Sequence, residues 1–399
     1  MKIKNLHINE FKGLRDISIN FEKNDKPLDL VVLAGSNGSG KTRVLESILD
    51  YFQKIVNHIE NKNVAGVFFE TDEQNCLNQG YNSNMLYLIL NYYNDENNVE
   101  RGRKVVEENL KVFPKIIYVP TEINFQKVEI ASPMLVQEYS FLNIVDSGLI
   151  KDVPSYIATR IMEMANEKEN TPMGEIRAAV FKEINEIFEI LDLDIKISGI
   201  SKNAKSIPIF TNSLGDKFDI NELSSGEKQL FLRTLAIRML NPENSIILID
   251  EPELSLHPKW QQRIVDVYRK IGKNNQIIIA THSPHILGSV RKENIMLLDK
   301  DDDRKIVVRT GDELYDSYGQ PTERILEDIM GLKTTRNQEI FDKLKKIREM
   351  VNEDKYETDD FKKEYGDLKE ILGTMDEDIM LIDMEIQIRR KGLKNVKNK

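Results

Sequence analysis

Apolar and polar positions alternate through MKIKNLHINEFKGLRDISINFE, residues 1–22, which predicts two short antiparallel strands. The unbroken apolar run LDLVVLAG, 28–35, predicts a buried strand, and the longer period of TRVLESILDYFQKIV predicts a helix after it. Residues 60–210 are mixed: a strand is expected at KIIYVP, 115–120, and an amphipathic helix through GEIRAAVFKEINEIFEIL, 174–191, while 130–172 carry weak signals. Order returns at 216–300. There the short strand DKFDI, a helix after SSGE, the strand SIILID, a helix near PKWQQRIVDVYRKI and the strands QIIIAT and NIMLLD follow one another. Strands alternating with helices at this spacing predict an α/β protein with a mostly parallel sheet. The last 80 residues read as helical and charge-rich, with acidic DKYETDDFKKEYGD before the basic tail RRKGLKNVKNK, and no repeat or long heptad array is visible.

Four of these elements carry chemistry at their ends. GSNGSGKT, residues 35–42, fits the phosphate-loop pattern G-x-x-x-x-G-K-[ST] and lies between an apolar strand and a helix, as the mechanism requires. Gly35, Gly38 and Gly40, with Ser36, Asn37 and Ser39 between them, let the backbone wrap phosphates; Lys41 reaches the β/γ-phosphates and the Thr42 hydroxyl can bind Mg²⁺. SIILIDEPE, 245–253, delivers two adjacent carboxylates at the tip of a buried strand, which is sensible only if they have partners. Asp250 would hold Mg²⁺, directly or through water, and Glu251 would orient and deprotonate an attacking water. IIIATHSPHIL, 277–287, puts His282 at the tip of another strand, within reach of the γ-phosphate or that water if the strands are adjacent and parallel. NELSSGEKQLFLRTLAIRML, 221–240, is a second Ser-Gly helix start of the kind that offers N–H groups to an anion.

Composition narrows the class. At 399 residues and 40% apolar content the chain can make two or three domains, or one α/β domain with a large insertion. No run of about 18 apolar residues and no cleavable N-terminal signal is seen, so a cytoplasmic protein with no membrane partner is expected. Cys76 is the only cysteine, which excludes an internal disulfide framework and a multi-thiolate zinc site. The net charge of −10 argues against a whole-surface nucleic-acid binder and leaves room for a local basic patch. DKDDDRK, 299–305, lacks the Gly and Glu of a calcium loop, with Thr310 at the twelfth position, and reads as a hairpin turn. Trp260 reads as helix packing, and His285, His257, His58 and His7 form no ligand cluster.

Taken together, GSNGSGKT, LSSGEKQ, IILIDEPELSLHP and THSPHIL resemble, in that order, the ABC-type ATPases of the SMC, RecF and OLD-like branch. INEFKGLRDISINF is similar to that branch's opening hairpin. YVPTE, EPELSLHP and the helices from PTERILEDIMGL onward resemble the antiphage-defence AAA-type ATPases, such as the Septu system ATPase. The resemblance implies an α/β, ABC-type P-loop ATPase head with a mixed sheet, a helical insertion and C-terminal helices. It implies head segments at 1–60 and 215–315, an insertion at 61–214, and a helical region at 316–399 for partner or oligomer contacts. It also implies ATP and Mg²⁺ as cofactors: residues 35–42 bind them, Asp250 is the metal carboxylate, Glu251 the base and His282 the switch histidine. Leu223, Ser224, Ser225, Gly226 and Glu227 become a signature segment that faces the γ-phosphate on another subunit. Glu253 to His257 become a segment crossing between subunits, and Gln126, after YVPTEINF, the glutamine that contacts Mg²⁺ or water. The implied function is an ATPase that dimerises around ATP, or assembles further, and regulates a separate nuclease such as an HNH protein. A RecF-like repair or recombination clamp, which closes on DNA with ATP, is the alternative, with nucleic acid as its partner; a degenerate nucleotide-binding scaffold is a third reading.

Overall fold

The computed structural model of the chain describes residues 1–56, 64–70, 114–121, 123, 140–201, 207–301 and 303–397. Cys76, His58 and Gln126 lie outside them. The chain divides into two compact units, Met1–Ile325 and Leu326–Lys399.

Strands β1 (Lys2–Phe11) and β2 (Leu14–Asn20) form the expected antiparallel hairpin, with Phe11 paired to Leu14. The two residues between them, Lys12 and Gly13, both have positive φ (46° and 88°), as a tight turn matching the twist of the strands requires. A minimal hairpin, β3 (Glu22–Lys23) and β4 (Lys26–Pro27), leads to β5 (Leu30–Ala34), which is buried throughout. β6 (Val64–Glu70) pairs antiparallel with β1 to complete a three-stranded sheet.

Among the described residues the main sheet has seven strands. It takes in β5, then β7 (Ile116–Val119) and β8 (Leu142–Ile144), and further along the chain β12 (Ile246–Asp250), β13 (Gln276–Ala280), β14 (Ile295–Lys300) and β15 (Ile306–Thr310). A second antiparallel sheet of three strands precedes β12 in sequence: β9 (Ile195–Ile200), β10 (Pro208–Asn212) and β11 (Lys217–Asp219). The order in the main sheet is β15-β14-β5-β13-β12-β7-β8; every neighbouring pair is parallel except β14 with β15, whose connection is the turn expected at 299–305. Residues 116–119 and 142–144, from the stretch expected as an insertion, are thus strands of the same sheet that carries the phosphate loop. Because β5, β7, β12 and β13 run the same way, their carboxyl ends share one edge, where α/β sheets hold ligands.

Local chemistry explains most helices. Lys41–Val56 follows the glycine-rich loop and buries Val44, Leu45, Ile48 and Phe52. Ser147–Glu167, from the weak stretch, is capped by Asp146, which accepts from the Leu149 N–H at 2.9 Å, and buries Ile150, Val153, Ile157, Ile161 and Met164 at helical spacing. Pro154 in its second turn obscures that period. The helix expected near 258–271 is two short ones, Pro258–Gln261 and Ile264–Arg269. The break falls at Arg263 (φ −115°), whose guanidinium reaches the Ile190 carbonyl at 3.3 Å.

Helix Ser225–Met239 is buried on nearly all sides. Phe231 stacks on Phe188 of helix Met173–Leu191 (5.7 Å between centroids) and meets Phe210 of β10 edge-on (4.9 Å), so that helix and strand pack directly on this one. The second unit has its own core: Leu344, Ile347 and Val351 of Gln338–Asn352, Phe361, Tyr365 and Leu368 of Asp359–Leu372, and Ile379, Ile382 and Ile386 of Glu377–Lys397. Among the described residues no helix is long and apolar enough to cross a membrane.

Candidate nucleotide-binding site

The phosphate loop leaves β5 at Gly35, whose φ of 144° a side chain rarely adopts. A Cβ there would also lie 2.3 Å from the Leu298 carbonyl oxygen of β14. Lys41 is almost fully buried, and its Nζ donates to the carbonyls of Gly35 (2.9 Å) and Ser36 (3.0 Å). Burial lowers its pKa, against the pull of the Glu251, Glu253 and Asp250 carboxylates. Around it lies a cavity of about 340 Å³ lined by Asn37, Gly38, Gly40, Lys41, Thr42, Arg43, Glu251 and His282.

Asp250, at the tip of β12, is 2% exposed. Each of its carboxylate oxygens accepts one hydroxyl: Oδ1 from Thr42 at 3.0 Å and Oδ2 from Thr121 at 2.7 Å. Burial raises its pKa, and these two bonds oppose the rise. Glu251 follows in the left-handed region (φ 43°), a conformation that costs of order 1 kcal/mol for a side chain with a Cβ. Its N–H still donates to the Ala280 carbonyl of β13 at 2.9 Å, so the turn is locked to the neighbouring strand. The carboxylate meets His282 Nδ1 at 3.2 Å. Adjacent parallel strand tips therefore bring Asp250, Glu251 and His282 together, over 30 residues of sequence.

Glu253, the first residue of the 253–257 segment, turns its carboxylate inward and is 5% exposed. Oε1 accepts from the Thr281 hydroxyl at 2.5 Å and the His282 N–H at 2.9 Å, which holds the histidine backbone behind Glu251. Burial raises the Glu253 pKa, and these bonds oppose it.

The signature segment forms a complete helix start. Ser224 is the N-cap: its hydroxyl oxygen accepts from the Glu227 N–H at 3.4 Å, while its own N–H donates back to Glu227 Oε2 at 3.0 Å. Leu223 is buried beneath the cap. Ser225 and Gly226, the next two residues, carry first-turn N–H groups that the capping box leaves unsatisfied. None of residues 223–227 lines the cavity around Lys41. Trp260 packs over the helix start, with its ring 3.3 Å from where a Gly226 Cβ would stand.

Sequence reasoning missed Thr121, the inward role of Glu253, and Arg233. Thr121 stands inside YVPTE, a phrase that marks a strand tip, but its partner is 129 residues away. Gln126 lies outside the described residues. Thr42, Asp250 and Thr121 offer hard oxygen donors side by side, a set that suits Mg²⁺. Among the described residues, no group of three or more His, Cys, Asp or Glu could hold a metal.

A parallel sheet with a glycine-rich loop after one strand and an Asp-Glu pair after the strand two places along is a P-loop ATPase head of α/β class. Comparison with known proteins agrees. Residues 1–140 match the family described as "AAA ATPase domain", and residues 121–288 the family described as "AAA domain, putative AbiEii toxin, Type IV TA system". The chain is 26% identical to the Septu protein PtuA of Bacillus thuringiensis, over 89% of this chain and 90% of that protein. It is 24% identical to the Retron Vc95 probable ATPase of Vibrio cholerae serotype O1 biovar El Tor, over 76% and 74%. Among solved structures, the SMC head domain from Thermotoga maritima aligns with a TM-score of 0.40 at 16% identity, over 78% of this chain and 100% of that one. The sequence matches bear out the resemblance to the antiphage-defence AAA-type ATPases, such as the Septu system ATPase, drawn from YVPTE, EPELSLHP and the helices from PTERILEDIMGL onward.

Proposed function

We propose that this protein binds and hydrolyses ATP with Mg²⁺, closes as a dimer around two nucleotides, and through that closure regulates a separate nuclease in antiphage defence. The observation that carries the reading is the convergence of Lys41, Thr42, Glu251 and His282 on one cavity, with Asp250 bonded to Thr42 beside it, from three separate chain segments. Lys41 would leave its loop carbonyls for the β/γ-phosphates, an exchange that relieves a buried ammonium. Thr42 and Asp250 would hold Mg²⁺, which when bound neutralises charge on the phosphates. Glu251 takes the proton of the attacking water, and His282, held by Glu253, orients Glu251 and the γ-phosphate side of the cavity.

The signature helix acts in trans. A helix start carries about +0.5 charge, and the Ser225 and Gly226 N–H groups would meet the γ-phosphate held by a second chain. Similarity to the Septu protein and to a retron ATPase supports a defence setting, and the Septu resemblance suggests an HNH-type nuclease as partner.

Glu251→Gln tests the mechanism: it should keep ATP binding, lose hydrolysis and accumulate as a dimer in light scattering with ATP. A variant that stays monomeric at saturating ATP removes the sandwich. Co-purification with the neighbouring gene product, followed by a nucleic-acid cleavage assay, tests the partner; cleavage by this chain alone contradicts the division of labour.

A further inference from the structure

Arg233 is the largest fully buried side chain described, 1% exposed, on the signature helix eight residues after Ser225. Its Nη2 donates to the carbonyls of Pro120 (2.9 Å) and Thr121 (2.5 Å), beyond the end of β7. Its Nε and Nη1 have no partner among the described residues. Burying a guanidinium is costly, and an apolar side chain would fill the same space at least as well beside the buried Leu230, Phe231, Leu232, Leu235 and Ile237 of the same helix. Packing alone therefore does not account for the charge. What the charge holds is the backbone of the segment whose next contact is the Asp250 carboxylate.

That carboxylate is gripped from two sides. Thr42, the last residue of the phosphate loop, donates to Oδ1, and Thr121 donates to Oδ2. The loop is held by the nucleotide side of the site, whereas Thr121 is held by Arg233 and hence by the helix whose tip serves another chain. A helix moves as a rigid rod over such a distance, roughly 12 Å from Ser225 to Arg233. A shift of the tip is thereby carried to the Thr121 carbonyl.

We propose that Arg233 and Thr121 are positioning residues that form a relay from the signature helix to the metal carboxylate Asp250 of the same chain. The relay rests on the ATPase function proposed above. Each chain would contribute loop and carboxylates to one nucleotide and a helix tip to the other, and Arg233–Thr121–Asp250 is the link by which engagement of the tip sets the metal site behind it.

The test measures two quantities on the full chain: Mn²⁺ binding in the presence of a non-hydrolysable ATP analogue, by electron paramagnetic resonance, and the free Mg²⁺ needed for half-maximal ATP hydrolysis. Thr121→Val should weaken both about tenfold, as expected for one lost hydrogen bond to a charged group. Metal-free binding of the analogue should be unchanged. Thr121→Ser, which keeps the hydroxyl, should restore both. Arg233→Lys should move both in the same direction, and the double variant Arg233→Lys/Thr121→Val should be no worse than Thr121→Val, because the two act in series. An unchanged metal dependence in Thr121→Val, or effects that multiply in the double variant, overturns the relay. Should Arg233→Lys not fold, the Val and Ser variants at position 121 decide it. A wild type that binds Mn²⁺ in a Thr121-dependent way but hydrolyses nothing leaves the relay standing and removes the ATPase function; a hydrolysing wild type with a Thr121-independent metal site does the reverse.

Discussion

Gly226→Ala separates the two anion sites proposed for this chain. Gly226 sits in the first turn of helix Ser225–Met239, where alanine is favoured over glycine by about 1 kcal/mol, so helix propensity alone predicts a slightly more stable protein. The surroundings reverse that. A Cβ would stand 2.6 Å from the Ser255 carbonyl oxygen and 3.3 Å from the Trp260 ring, and ordinary contact at 3.4 Å requires the helix start or the 253–257 segment to move by about 0.8 Å. Crowding of this kind costs about 1–3 kcal/mol, so net stability should fall by about 0–2 kcal/mol. The larger effect is on geometry. Hydrogen bonds to charged groups contribute about 1.5–3 kcal/mol each, and displacing one N–H at each of two composite sites weakens closure by about 3–6 kcal/mol. That is a factor of roughly 10²–10⁴ in the dimer dissociation constant. The assay is light scattering with ATP in a Glu251→Gln background, beside titration of the separate chain with a fluorescent ATP analogue. Nucleotide binding by the single chain should persist, because Gly226 does not line its cavity. Dimerisation at unchanged affinity, or loss of binding by the single chain, refutes a signature that works in trans.

Two further substitutions probe the fold beneath the site. Gly35→Ala places a Cβ against the Leu298 carbonyl in a backbone region that side chains avoid, and should cost about 2–4 kcal/mol together with nucleotide binding; an unchanged urea midpoint contradicts the clash. Lys115 is buried, and its ammonium is lowered from 10.5 to about 8 by desolvation. Below the folded value both states carry the proton and the folded chain bears the full cost; between about 8 and 10.5 the unfolded chain binds more protons, so stability should rise with pH by up to about 3 kcal/mol. Urea midpoints across that window should show the rise in wild type and lose it in Lys115→Met, and parallel curves for the two proteins refute the assignment.

Much of this protein is legible in the chain because its chemistry sits at the ends of elements that announce themselves. Buried parallel strands are short apolar runs, so β5, β12 and β13 stand out, and GSNGSGKT, DEPE and THSP follow directly from them. The capping box at Ser224 and Glu227 is likewise local, complete within four residues. The same local signals fail where tertiary contacts compete. Pro154 hides a helix that packing enforces, and Arg263 breaks one that periodicity would continue.

The sequence by itself determined the α/β class, the phosphate loop, the paired carboxylates and the second helix start, since each depends on residues a few positions apart. Only the tertiary structure decided that 116–119 joins the central sheet beside β12, and that Thr121 and Thr42 share one carboxylate. It likewise decided that Glu253 turns inward and that a buried arginine ties the signature helix to the strand tip. Those pairings join residues from 28 to 208 positions apart. Periodicity and propensity report the neighbours a residue has along the chain, whereas a buried polar group finds its partner across the sheet, where strand order alone sets who is near.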